Sequence, residues 1–205
     1  MWKLLAKRAL GALPSIVMWI IARASAAALA VALVLVGCVP TTSPASPAPR
    51  PSTTPVFATE AEALAAATKA YAAYVRVSDE ILADGGNNPE RIKKVASGEA
   101  LDGALAGYSD FRQRGLHSEG DSKIDRVSLQ KFSPDSVSGK NLVILYACLD
   151  VEGVNVFDQT GTSVVSPQRP SRQPFQVSAD WRESKQQLFV SSRNPWSGGG
   201  ICEKK

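Results

Sequence analysis

Between Val39 and Val56 the chain reads VPTTSPASPAPRPSTTPV, a run whose repeated prolines and interleaved Ser, Thr and Ala lack the backbone donors and large apolar side chains that a folded core needs. Such a segment is extended and polyproline-like, rising about 3.1 Å per residue, so it holds the segments on its two sides some tens of ångströms apart. The 205 residues therefore divide into three parts. Residues 1–37 are mostly apolar, residues 38–56 form a cysteine-headed stalk, and residues 57–205 are of ordinary single-domain size.

The first part carries Lys3, Lys7 and Arg8 ahead of two apolar runs, Ala9 to Ala22 and Ala24 to Val36, split by Arg23. Positive charge before an apolar run is the outline of an export signal, and it keeps the N-terminus inside while sending the rest across. Met18 followed by Arg23 has the same outline at a more usual length. The second run ends in Leu35-Val36-Gly37-Cys38, which resembles a bacterial lipobox. The resemblance implies cleavage before Cys38 and a diacylglycerol on its sulfur. At roughly 0.8 kcal/mol per buried methylene, two acyl chains hold a protein on a membrane where one does not. The alternative is an uncleaved signal anchor built from both runs, with Arg23 near mid-membrane at about 2.5–3.5 kcal/mol. Both place residues 57–205 on the outer face of the cell membrane.

With Cys38 lipidated, Cys148 and Cys202 are the remaining cysteines, in an oxidising compartment where a pair closes. A Cys148–Cys202 disulfide is expected; two free thiols or a metal site are the alternatives. Two cysteines and the lone His117 supply no ligand spacing such as C-x-x-C, so no metal is expected. Charge excludes another class. Four of the 23 Lys and Arg precede residue 38, where no Asp or Glu occurs, which leaves 19 against 19 in the rest. A neutral domain lacks the basic excess that replaces phosphate counterions, so no nucleic-acid partner is expected.

Helical periodicity comes first in the domain. Thr59-x-x-Glu62 is a capping box, Leu64, Ala67, Tyr71, Val75, Ser78 and Leu82 form a stripe, and Gly85-Gly86 ends a helix running toward Ala83. Asn88-Pro89 opens a short helix to about Val95, and Leu101, Leu105, Tyr108 and Phe111 mark a third that stops near Gly115. After Gly120 the period changes to alternation. Strands are expected over Ile124 to Phe132, Asn141 to Val151 and Val154 to Asp158, and in a hairpin of Phe175 to Arg182 with Gln187 to Arg193. NLVILYACLDV is apolar on both faces, which marks a central strand. Helices followed by strands make an α+β domain.

An Ala-rich helix with Tyr71 and Tyr74, then Gly85-Gly86-Asn87-Asn88-Pro89, Cys148-Leu149-Asp150, Asp158-x-x-Gly161-x-Ser163-Val164, Trp181 and Cys202 follow one another in a recognisable order. That order resembles the secreted or lipid-anchored actinobacterial proteins with a nuclear-transport-factor-like, cystatin-like fold. The resemblance implies three N-terminal helices packed on a curved antiparallel sheet, as a cone with an open mouth. It transfers a shape better than an activity, because function lives in sites rather than folds.

In such a cone ketosteroid isomerase, which shares the fold, sets a carboxylate beside a tyrosine. The residues that could furnish a pocket here are Tyr71, Tyr74, Tyr108, His117, Asp150 and Asp158. Packing explains Tyr71 and Tyr108 on helix stripes, a solvated loop explains His117, a strand end explains Asp150, and turn chemistry explains Asp158. Trp196 is either a ligand platform or a plug beside the Cys202 staple. Hydrolase, phosphate-loop, zincin and dinucleotide motifs are absent from the sequence, and no cofactor is expected. The expected function is a non-catalytic, lipid-anchored domain that binds an envelope ligand or protein, or serves as a scaffold. The other class is an isomerase- or dehydratase-type pocket enzyme using an Asp with Tyr or His.

Overall fold

A computed structural model describes residues 55–203. The leader, Cys38 and almost all of the stalk lie outside the described residues. Helix α1 (Glu60–Ala83) starts where the capping box puts it: Thr59 Oγ1 accepts from Glu62 N at 3.2 Å. Glu62 reaches back to Ala58 N, one residue beyond the usual partner, at 2.9 Å. The helix ends in a Schellman motif, with Gly86 N bonding Ile81 O, Gly85 N bonding Leu82 O, and Gly85 at φ +69°. Helix α2 (Gly98–Gln113) closes the same way, through Leu116 N to Phe111 O and Gly115 at φ +63°.

Between them the expected short helix is present over Pro89–Lys94 as a 3-10 helix, so among the described residues two α-helices flank a 3-10 connector. Six residues with i+3 bonding make a connector, and Asn88 enters it at φ +49° without a side-chain cap.

Four strands, β2 (Lys123–Phe132), β3 (Val143–Asp150), β5 (Arg172–Arg182) and β6 (Gln187–Pro195), form an antiparallel sheet in the order β2-β3-β5-β6. The domain is thus α+β, with N-terminal helices packed on an antiparallel sheet that does not close into a barrel. Bulges interrupt the register in β2, where Asp125 and Gln130 are the extra residues, and in β6, where Ser191 is extra opposite Ser178–Ala179, and each locally bends and twists its strand. Two short strands, β1 (His117–Glu119) and β4 (Asn155–Phe157), pair apart from the main sheet. The edge of β6 is partly covered, because Ser97 N bonds Val190 O and Val190 N bonds Val95 O.

The strand apolar on both faces is central, as its sequence requires: β3 lies between β2 and β5. Val143, Leu145, Ala147 and Leu149 face the core, where Tyr71 and Ile81 of α1 are fully buried. The buried stripe of α1 is Ala63, Ala67, Tyr71, Tyr74, Val77 and Ile81 with Val75, rotated from the expected one so that Leu64 and Leu82 are only half-buried.

The opposite face of β3 carries Cys148 and Tyr146. There the expected disulfide joins Cys148 to Cys202, with Cα atoms 5.1 Å apart. Trp196 stacks on Tyr146 at a ring-centroid distance of 4.1 Å, and Arg126 holds Glu203 O at 2.9 Å. The C-terminal tail is therefore strapped across the back of the sheet, and Trp196 is half-buried in that strap as a plug.

Candidate functional site

Because α1 packs over the sheet, several openings lie along its margins. Along one margin α1 contributes Tyr74, Ser78 and Leu82, α2 contributes Ala100, Gly103 and Tyr108, and β6 contributes Arg193, around a cleft of about 290 Å³. Helical spacing explains the assembly: Tyr71, Tyr74, Ser78 and Leu82 follow one another at three- and four-residue steps. On α2 the small residues leave the wall low, and a Cβ placed on Gly103 or Gly107 would meet no atom within 4 Å.

Three of the tyrosines singled out in the sequence meet here. Tyr71 and Tyr74 stack with centroids 6.2 Å apart, and the Tyr108 hydroxyl donates to Ser78 Oγ at 2.9 Å. Burial pushes the Tyr71 and Tyr74 phenols up and pushes Tyr108 up to about 12. All three stay protonated at neutral pH.

The residue that organises them is Arg193. Its Nε donates to the Tyr71 hydroxyl at 3.2 Å, and its guanidinium lies over the Phe175 ring at 3.5 Å from the centroid. It makes no ion pair among the described residues. Nothing local in the sequence announces this role, since Arg193 ends an alternating hairpin strand and its partner Tyr71 lies 122 residues away.

The other sequence-predicted residues stand elsewhere. His117 is in strand β1, paired with Phe157, rather than in a loop, and its ring stacks on Phe157 at 5.6 Å. Asp150 ends β3 and accepts from Glu152 N at 2.9 Å. Asp158 accepts from Thr160 N, Thr160 Oγ1 and Thr162 N in an exposed turn, and the Thr160 hydroxyl chiefly holds its carboxyl below the usual range. Asp79 carries no signal in the sequence that singles it out. This half-buried carboxylate accepts from Ser122 N and Oγ, both at 2.9 Å, and burial raises its pKa. It lines a separate depression of about 220 Å³ with Val75, Asp121 and Ser122, not the tyrosine cleft. Among the described residues no three His, Cys, Asp or Glu side chains converge as a metal site.

A second opening, about 450 Å³ and largely apolar, is lined by Phe57, Ala70, Ala73, Trp181 and Leu188, with Lys69 as its one charged lining residue. Phe57, just beyond the stalk, meets Trp181 edge-on at 5.8 Å.

No protein-family model matches this chain, and no curated protein matches it. Among solved structures it is similar to the intermembrane-space region of the chloroplast protein ARC6, at 11% identity and TM-score 0.48, over 66% of this chain and 97% of that one. It is also similar to a de novo β-sheet design protein solved in solution by NMR, at 15% identity and TM-score 0.30, over 66% of this chain and 92% of the other. Neither likeness is strong enough to inform the site.

The phenols give a prediction. Tyrosine ionises near 10 in an unfolded chain and Tyr108 near 12 in the fold, so the folded state disfavours loss of this proton. Its contribution to stability is fully present below about pH 10 and is lost as pH rises toward about 12. Tyr108→Phe will lower stability by about 1 kcal/mol at neutral pH, through loss of the Ser78 hydrogen bond, and will make the alkaline decline shallower. Denaturant midpoints from pH 8 to 12 read both effects, and an unchanged alkaline slope contradicts the second.

Proposed function

We propose that the chain is a lipid-anchored protein of the outer face of the cell membrane whose α+β domain binds a ligand without transforming it. Three features of the sequence support the anchor: the charged apolar leader, the Leu35-Val36-Gly37-Cys38 run, and the proline-rich stalk. The Cys148–Cys202 disulfide agrees with an oxidising compartment and uses the two cysteines other than Cys38.

The observation that carries binding over catalysis is the chemistry of the tyrosine cleft. It presents neutral hydroxyls and a guanidinium, and its one carboxylate, Glu99, is exposed to solvent and hydrogen-bonded to none of the tyrosines. An isomerase- or dehydratase-type site would set Asp79 in this cleft, facing Tyr71 or Tyr108. Asp79 is instead bonded to Ser122 in the neighbouring depression. A small cleft in which a few polar groups converge beside apolar side chains is a common form of ligand site.

Membrane fractionation with mass analysis tests the anchor. The wild-type protein is expected in the membrane fraction, cleaved before Cys38 and heavier by its lipid. Cys38→Ala is expected to be released or to keep its leader uncut. Unchanged partitioning together with an unchanged mass overturns the proposal.

A further inference from the structure

We infer that the cleft between α1, α2 and the end of β6 is a binding site for a small organic monocarboxylate, held by the Arg193 guanidinium and the Tyr74 hydroxyl; this rests on the reading of the domain as a ligand binder.

Arg193 is fixed before any ligand arrives. Its Nε is engaged by Tyr71 and its plane by Phe175, while its two terminal nitrogens have no hydrogen-bond partner among the described residues. An anchored guanidinium with two free forked donors matches a carboxylate in geometry and charge, and little side-chain entropy remains to be lost on binding.

Tyr74 is the second, independent sign. The residue is 7% exposed, it lines the cleft, and its hydroxyl has no hydrogen-bond partner among the described residues. The ring is buried while the hydroxyl keeps contact with solvent in the cleft, which leaves it free to donate to a ligand there. Tyr108 already donates to Ser78, and Tyr71, which accepts from Arg193, is not part of the cleft lining, so among the lining tyrosines the Tyr74 hydroxyl is the free donor.

Size and charge narrow the ligand further. The cleft volume of about 290 Å³ stands at the small end for ligand pockets, and its mixed lining sets the apolar side chains of Leu82, Ala100 and Ala104 beside polar groups. Glu99 also lines it without pairing to Arg193, so a ligand with two or more negative charges meets repulsion that a monocarboxylate largely escapes. A compact apolar body bearing one carboxylate fits these terms.

The test uses the whole protein extracted from membranes in detergent, with benzoate as the probe and benzamide as its neutral counterpart. Ligand-observed NMR titrations are expected to show saturable benzoate binding at least tenfold tighter than benzamide. Arg193→Gln is expected to erase that preference. Because this variant also loses the Tyr71 contact, Gly107→Leu provides a second arm. It fills the cleft from α2, where a Cβ at Gly107 meets nothing within 4 Å, and leaves Arg193 intact. It is expected to weaken benzoate binding at least tenfold.

Equal binding of benzoate and benzamide, or benzoate binding undiminished in Gly107→Leu, overturns the inference. Either result leaves the membrane anchor untouched. Conversely, benzoate selectivity stands if Cys38→Ala proves to have no effect on partitioning.

Discussion

Cys148→Ala combined with Cys202→Ala will lower the stability of the folded domain by about 4 kcal/mol, the chain-entropy value for a crosslink spanning 54 residues. The loss is large because a domain's net stability is itself only about 5–15 kcal/mol. Two features of the structure set its size. Cys148 is fully buried in the central strand, so the crosslink ties the C-terminal tail to the most constrained part of the sheet. The other contacts of the tail are modest: the Trp196–Tyr146 stack, Trp196 N to Pro174 O, and Arg126 to Glu203 O. Without the crosslink the tail beyond Trp196 should fray first, and its amides should exchange before those of β3. Guanidinium unfolding of oxidised wild type against the double variant measures the difference. A change below about 1 kcal/mol shows that the staple is incidental.

Legibility in the sequence tracks the range of the interactions. The start of α1 and the stops of both helices are readable because a capping box and a glycine in the left-handed region act within six residues. The central place of β3 is readable because apolar residues on both faces have no other stable setting.

His117 reads as loop in the sequence because β1 is only three residues long, too short for alternation to register, and it exists through its pairing with Asn155–Phe157. The stripe of α1 reads about one residue off because alanines fit either face, and only the sheet above them decides which are buried. Tyr71, Tyr74 and Tyr108 emerge through helical spacing, yet the sequence hides what they serve. Arg193 reaches them across 122 residues, and Asp79 meets Ser122 across 43. No local pattern encodes contacts of that separation. The site's side chains are therefore half legible, and its organising cation is not.

The glycines around the cleft make the link between packing and function testable. Gly86→Ala will destabilise the protein by about 3 kcal/mol, from two sources. Its φ of +79° belongs to the left-handed region, where an L-residue costs about 1–2 kcal/mol. Its added Cβ would also lie 2.5 Å from the backbone oxygen of Tyr108, which can yield only if α2 moves away from α1. Gly86 is therefore the point at which the two helices touch backbone to side-chain position. The same approach sets Tyr108 over Ser78 at the cleft. If this account holds, Gly86→Ala should weaken benzoate binding even under conditions where the variant is fully folded, because the α2 wall is displaced. Substitution at Gly103, whose Cβ would meet nothing, supplies the contrast: Ala there should raise stability by about 0.5–1 kcal/mol through helix propensity. Denaturant midpoints moving in opposite directions for the two variants are the expected outcome. A Gly86→Ala protein as stable as wild type would mean that the helices are not held at this contact, and that the geometry of the cleft is set elsewhere.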